Sequence, residues 1–96
     1  MRVRFSRPAL AELEAILINI ENNNPPAARQ FARRLDGVVN RIAQFPTSAR
    51  EIAGRPGVRR LPLVRYPYVL YYRIFAGEVI ILRIIHGARH NTSEGS

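Results

Sequence analysis

The chain has no cysteine and no lysine, only two histidines, and only seven acidic residues against fifteen basic ones. Without cysteine there is no disulfide to stiffen a fold of 96 residues and no thiolate to hold a metal, which suits a reducing compartment. Two histidines without clustered carboxylates leave no metal-binding pattern, so neither metal nor cofactor is expected. No apolar run approaches the ~20 residues needed to cross a bilayer. The first residues, MRVRFSRPAL, lack the apolar core of a signal peptide. These absences predict a soluble cytoplasmic protein with no membrane partner. There are no internal repeats and no low-complexity linker, so the length predicts a single domain over residues 1–90 with a modest core. The polar residues 91–96 are expected to be a disordered tail.

What is abundant is arginine. It supplies every basic residue and sets the net charge at +8. A chain this basic attracts polyanions or an acidic protein partner, and guanidinium groups suit bidentate contacts to phosphate or carboxylate.

Residues 2–5 alternate as Arg-Val-Arg-Phe and predict a short first strand. Ser6 then reads as a helix N-cap, with Pro8 in the first turn and Glu12 and Glu14 near the helix start. Leu10, Leu13, Leu17 and Ile20, with Ile16 beside them, predict the buried stripe of this helix. The triple asparagine 22–24 is a turn, and Asn24-Pro25 opens a second helix. Its stripe is Ala28, Phe31, Leu35, Val38 and Ile42, opposite a face with Arg29, Arg33, Arg34 and Arg41. So short a turn makes the two helices an antiparallel hairpin. Phe45-Pro46 ends the second helix, and residues 46–57 read as an irregular connection pinned to the core by Phe45 and Ile52.

Three strands follow, at about 58–65, 68–74 and 78–85. Pro62 cannot donate to a ladder, which predicts an edge strand, and Arg59 and Arg60 point to opposite faces of it. Between the last two strands a three-residue loop, 75–77, with Gly77 left-handed is preferred over a two-residue Ala76-Gly77 turn. It keeps arginine out of the core. That register places Leu70, Tyr72, Ile74, Ile80, Leu82 and Ile84 under the helices, and Val69, Tyr71, Arg73, Val79, Ile81, Arg83 and Ile85 on an open face. The predicted fold is α+β, ordered β-α-α-β-β-β, with a helix hairpin packed on one face of a small, mainly antiparallel sheet.

An open face mixing Tyr71, Arg73 and Arg83 with Ile81 and Ile85 suits a partner that is both acidic and apolar, unless the arginine stems merely cover apolar surface. Arg59 and Arg89 are further contact candidates. His86, in the run His86-Gly87-Ala88-Arg89-His90, is open to two readings. It either moves a proton beside basic residues that hold a phosphate, or closes the strand by hydrogen bonding. A basic cluster that holds a scissile phosphate while such a histidine moves the proton would carry out a metal-independent RNA cleavage.

Four stretches carry a resemblance to a known family over about residues 2–90: the first strand with Ser6-Arg7-Pro8-Ala9, the Phe45-Pro46 exit, Val58-Arg59-Arg60-Leu61 with the Tyr66–Arg73 segment, and the Ile81–Arg89 segment. Together they resemble the ParE/RelE toxin superfamily, most closely its ParE-like, plasmid-stabilisation branch. The resemblance implies a type II toxin neutralised by a cognate ParD-like antitoxin with an acidic C-terminal segment, in a hetero-oligomer. ParE-like toxins inhibit DNA gyrase by direct binding; RelE-like toxins are ribosome-dependent mRNA endoribonucleases. Arg60 and Arg83 sit at positions like the RelE arginines. The lysine-rich stretch and C-terminal tyrosine of that branch are missing, with His86 or His90 as substitutes, so the resemblance makes Arg60, Arg83, His86 and His90 the candidate catalytic residues.

Overall fold

The computed structural model describes residues 1–87. Arg89, His90 and the tail expected at 91–96 lie outside the described residues. In order, the elements are β1 (Arg2–Phe5), α1 (Arg7–Asn23), α2 (Pro25–Gln44), β2 (Arg50–Glu51), β3 (Val58–Pro62), β4 (Tyr68–Phe75) and β5 (Glu78–His86). The strands form one mixed sheet in the order β1-β5-β4-β3-β2. β1 runs parallel to β5, and every other pairing is antiparallel. Two helices on a five-stranded sheet make an α+β fold, as the sequence predicts.

The helix starts are set by their caps. Ser6 Oγ accepts from Ala9 N at 3.2 Å, and Asn24 Oδ1 accepts from Ala27 N at 3.2 Å. Proline occupies the first turn of both helices, where a missing N–H is harmless. Asn24 alone separates the helices, so α2 folds back beside α1.

The core lies between the hairpin and the sheet. It holds Phe31, Leu35 and Ile42 of α2 against Leu70 and Tyr72 of β4 and Val79, Ile81 and Ile84 of β5. The α2 stripe is as predicted. The α1 stripe holds except at its start: Ile16 is buried and Leu13, Leu17 and Ile20 pack against the core, but Leu10 is exposed and Ala9 takes the inward place.

Three local expectations are corrected. Phe45 does not pin the connection; it is 55 % exposed, with the Arg41 guanidinium 5.9 Å from its ring centroid. The connection is not wholly irregular, because Arg50 and Glu51 pair with Arg60 and Arg59. β3 is thus an edge strand only beyond Arg60, and Pro62 falls in that unpaired part.

The hairpin between β4 and β5 is the third. Phe75 pairs with Glu78, leaving a two-residue turn in which Ala76 (φ 52°) and Gly77 (φ 77°) are both left-handed. This matches the right-handed twist of the strands. Arginine still stays out of the core, because β5 carries a bulge. Tyr71 pairs with Arg83 and Tyr72 with Ile81, so Leu82 is the extra residue and the facing of the strand changes there. Val79, Ile81 and Ile84 consequently face the helices, not Ile80 and Leu82.

Candidate functional site

The sheet face turned away from the helices carries the candidate site. Cα pairing aligns Arg50, Arg60, Tyr71 and Arg83 in one row across β2, β3, β4 and β5. At the usual strand spacing the row spans roughly 14 Å. The neighbouring row on the same face is Val58, Arg73 and Ile80. The loop after β2 stands beside these rows and creates two adjoining hollows. One, of about 550 Å³, is lined by Arg50, Glu51, Ile52, Ala53, Arg55 and Arg60. The other, of about 260 Å³, is bounded chiefly by Ile52, Arg55, Tyr71, Leu82, Arg83 and Ile85.

Charge on this face is only partly compensated. Arg83 donates from Nε and Nη2 to one oxygen of Glu12, at 2.8 and 2.6 Å. The other Glu12 oxygen accepts from Ile84 N at 2.9 Å. This carboxylate explains how β5 tolerates losing its neighbour. β1 ends at Phe5, after which Ser6 N binds Ile81 O, Ser6 Oγ binds Leu82 O, and Glu12 caps the next outward N–H. The Glu12 hydrogen bonds, above all, push the Arg83 guanidinium above its ordinary range, so its charge is permanent. Arg50, Arg55, Arg60 and Arg73 form no ion pair among the described residues. Arg73 lies over the Phe75 ring at 5.2 Å.

Several candidates fall elsewhere. Ile81 was expected on the open face, but the bulge turns it into the core, where its exposure is 0 %. Tyr71 is on the open face but buried at 6 % exposure, so it forms floor and not a projecting contact. Ile85 is half-buried at the rim. Arg59 points to the helix side, where Nη1 donates to Thr47 O at 3.1 Å and Ala49 O at 2.6 Å, and Glu51 lies 3.8 Å away. It anchors the connection. Beside it the Tyr72 hydroxyl donates to Pro46 O at 2.7 Å, and burial pushes that phenol above its usual range.

His86 is separated from the arginine row. It pairs with Tyr68, and its ring packs edge-on against the Tyr68 ring at 5.7 Å. Tyr68 in turn meets Phe31 of α2 at 5.8 Å. The histidine therefore stands on the helix side, while Arg60 and Arg83 occupy the other. His90 and Arg89 lie outside the described residues. Sequence reasoning missed Glu12, read there only as a helix-dipole residue, and also missed Arg50 and Arg55, which lie in the segment taken as irregular. Strand and helix lengths held a clue to Glu12: a four-residue β1 beside a nine-residue β5 leaves polar edge groups that something must satisfy.

Comparison with known proteins adds the family. The sequence profile described as the ParE toxin of the parDE type II toxin-antitoxin system matches residues 3–91.

The chain belongs to the ParE toxin family.

Its relatives are similarly small. It is 36 % identical over 89 residues to the putative toxin Y4kP of Sinorhizobium fredii, covering 88 % of this chain and 86 % of that protein. It is 32 % identical over 88 residues to toxin ParE3 of Caulobacter vibrioides, covering 90 % and 86 %. It is also 38 % identical over 81 residues to toxin RelE2 of the same organism, covering 84 % and 89 %. Among solved structures, a chain of the chromosomal ParDE toxin-antitoxin system from P. aeruginosa superposes with a TM-score of 0.76 at 30 % identity, covering 90 % of this chain and 95 % of that one. This ParE-family chain is thus a toxin of the type II class, and its helix hairpin on a mixed sheet is the arrangement of that neighbour.

Proposed function

We propose that this ParE-family toxin acts by contact, binding DNA gyrase through the arginine-rich open sheet face and inhibiting it without chemistry of its own. A cognate ParD-like antitoxin, with an acidic C-terminal segment, neutralises it in a cytoplasmic hetero-oligomer. One observation carries the reading. His86 packs edge-on against Tyr68 on the helix side, while Arg60 and Arg83 occupy the other face, and Arg83 is already held by Glu12. A proton-transfer group must lie within hydrogen-bond reach of the atoms that react, and these three residues share no such point. An array of exposed guanidinium groups around small hollows is instead suited to gripping an acidic surface.

The test is to incubate the purified chain with gyrase, ATP and relaxed plasmid. Blocked supercoiling or trapped cleaved plasmid, relieved by the antitoxin, is the expected result; gyrase working at its normal rate would reject the target.

The second reading, a ribosome-dependent mRNA endoribonuclease, has its own support. Arg50, Arg60, Tyr71 and Arg83 form one row, and one relative bears the name RelE2. On that reading the arginines hold the scissile phosphate, and Arg83→Ala abolishes cleavage of ribosome-bound mRNA. Undiminished cleavage by that variant would rule it out.

A further inference from the structure

A third hollow lies away from the arginine row, where α2 meets the turn between β3 and β4. It encloses about 630 Å³ and is lined by Gln30 and Arg34 of α2 and by Val64, Arg65 and Tyr66 of the turn. Tyr66 is fixed from behind, its ring edge-on to the buried Phe31 at 5.0 Å. Val64 is 60 % exposed. Two guanidinium groups line the hollow and, among the described residues, no carboxylate lines it or pairs with either of them, so they repel one another uncompensated.

The position of Arg65 sharpens this. Tyr66 N binds Leu63 O at 2.9 Å and Leu63 N binds Tyr68 O at 3.0 Å, closing a tight turn at residues 63–66. Its third residue, Arg65, has φ 74°, in the left-handed region where glycine or asparagine is favoured. An arginine there is strained. It gives the turn no hydrogen bond among the described residues, but it brings a second guanidinium to the hollow that Arg34 lines. Strain at an exposed turn is a pointer to a role in binding.

The geometry points to a docking site for an acidic, partly apolar segment of a protein partner. A carboxylate sits between Arg34 and Arg65, hydrogen-bonded also by Gln30, and an apolar side chain rests on Val64 and Tyr66. This rests on the reading of the chain as a toxin with an acidic partner, and it names where that partner takes hold. A polypeptide fits better than nucleic acid. The charge is two arginines beside a valine and an aromatic floor, whereas the longer row of guanidinium groups suited to successive phosphates is on the far side of the sheet.

The test is a titration of the isotopically labelled full chain, followed by amide NMR shifts, with an end-blocked peptide of alternating glutamate and leucine and, separately, with oligodeoxythymidine. The peptide is expected to shift Gln30, Arg34 and residues 64–66. Arg34→Gln and Arg65→Gly are expected to weaken it by about fivefold or more, while Arg7→Gln, with the same loss of charge elsewhere, binds as the parent does. Arg65→Gly relieves the strained position, so its melting temperature stays level or rises, and weaker binding by it is not lost folding. Absent binding, pocket variants that bind as tightly as the parent, shifts confined to other residues, or an oligonucleotide that moves these amides at lower concentration would each overturn the site. A gyrase result of either sign leaves this titration unaffected. An antitoxin that neutralises parent and pocket variants equally well would overturn the docking site while leaving the toxin reading intact.

Discussion

Glu12→Ala separates two roles of one carboxylate. Its Oε2 holds Arg83, and its Oε1 satisfies the part-buried N–H of Ile84 at the β5 edge. The ion pair is the weaker part. The Arg83 side chain is 53 % exposed and that of Glu12 23 %, so solvent screening leaves it worth about 0.5 kcal/mol. Stranding the Ile84 N–H costs about 1–2 kcal/mol. Glu12→Ala therefore destabilises by roughly 2 kcal/mol, a fall in melting temperature of roughly 8–16 °C for a domain of this size. Arg83→Ala removes only the pair and costs under about 1 kcal/mol. Glu12→Gln keeps a carbonyl for Ile84 and also costs under about 1 kcal/mol. Thermal and urea unfolding, followed by circular dichroism, measure all three. Equal losses for Glu12→Ala and Arg83→Ala, or a Glu12→Gln loss as large as that of Glu12→Ala, would refute the edge-capping role.

Three further outcomes follow from single contacts. Arg59→Ala, which takes its partner from the part-buried Ala49 carbonyl while water replaces the exposed bond to Thr47, lowers the urea midpoint by the equivalent of about 1–2 kcal/mol and leaves target inhibition intact once the protein is kept folded. Ala76→Gly, at a left-handed position of the β4–β5 turn, raises stability by up to about 1 kcal/mol, and Gly77→Ala lowers it by about as much, both read by thermal melts. The buried Tyr72 hydroxyl has its pKa raised by desolvation, so its contribution is intact below the ordinary tyrosine range. It is lost as pH rises past about 10, where the unfolded chain ionises first. Tyr72→Phe lowers stability at neutral pH by about 1 kcal/mol and makes the alkaline decline shallower in unfolding curves taken across that window.

Local signals in the sequence were the dependable ones. Ser6 and Asn24 each precede a proline-bearing helix start, and both cap as their chemistry demands. The α2 stripe is read correctly because Phe31, Leu35 and Ile42 recur on one side of an otherwise polar helix. In α1, leucine and isoleucine occur all round, so periodicity could not distinguish Ala9 from Leu10. The open face was predicted to keep Arg73 and Arg83 together, and it does, but by another route. No glycine or proline marks the bulge at Leu82, so a regular ladder had to be assumed, and Ile81 was assigned to the wrong side. The same limit hid the arginine row. Arg50 is 33 positions from Arg83 and meets it only through three strand pairings. The separation of His86 from Arg60 and Arg83 depends on that register too, since a shift of one residue exchanges the faces.

Gyrase supercoiling, run side by side on the parent chain, His86→Ala and an Arg60→Gln/Arg73→Gln double variant, bears most directly on action by contact. Inhibition unchanged in His86→Ala, and about fivefold or more weaker in the double variant, is the result expected of a basic sheet face that grips its target. Loss of inhibition in His86→Ala with the double variant fully active, or unimpaired gyrase together with cut mRNA on the ribosome, would contradict it.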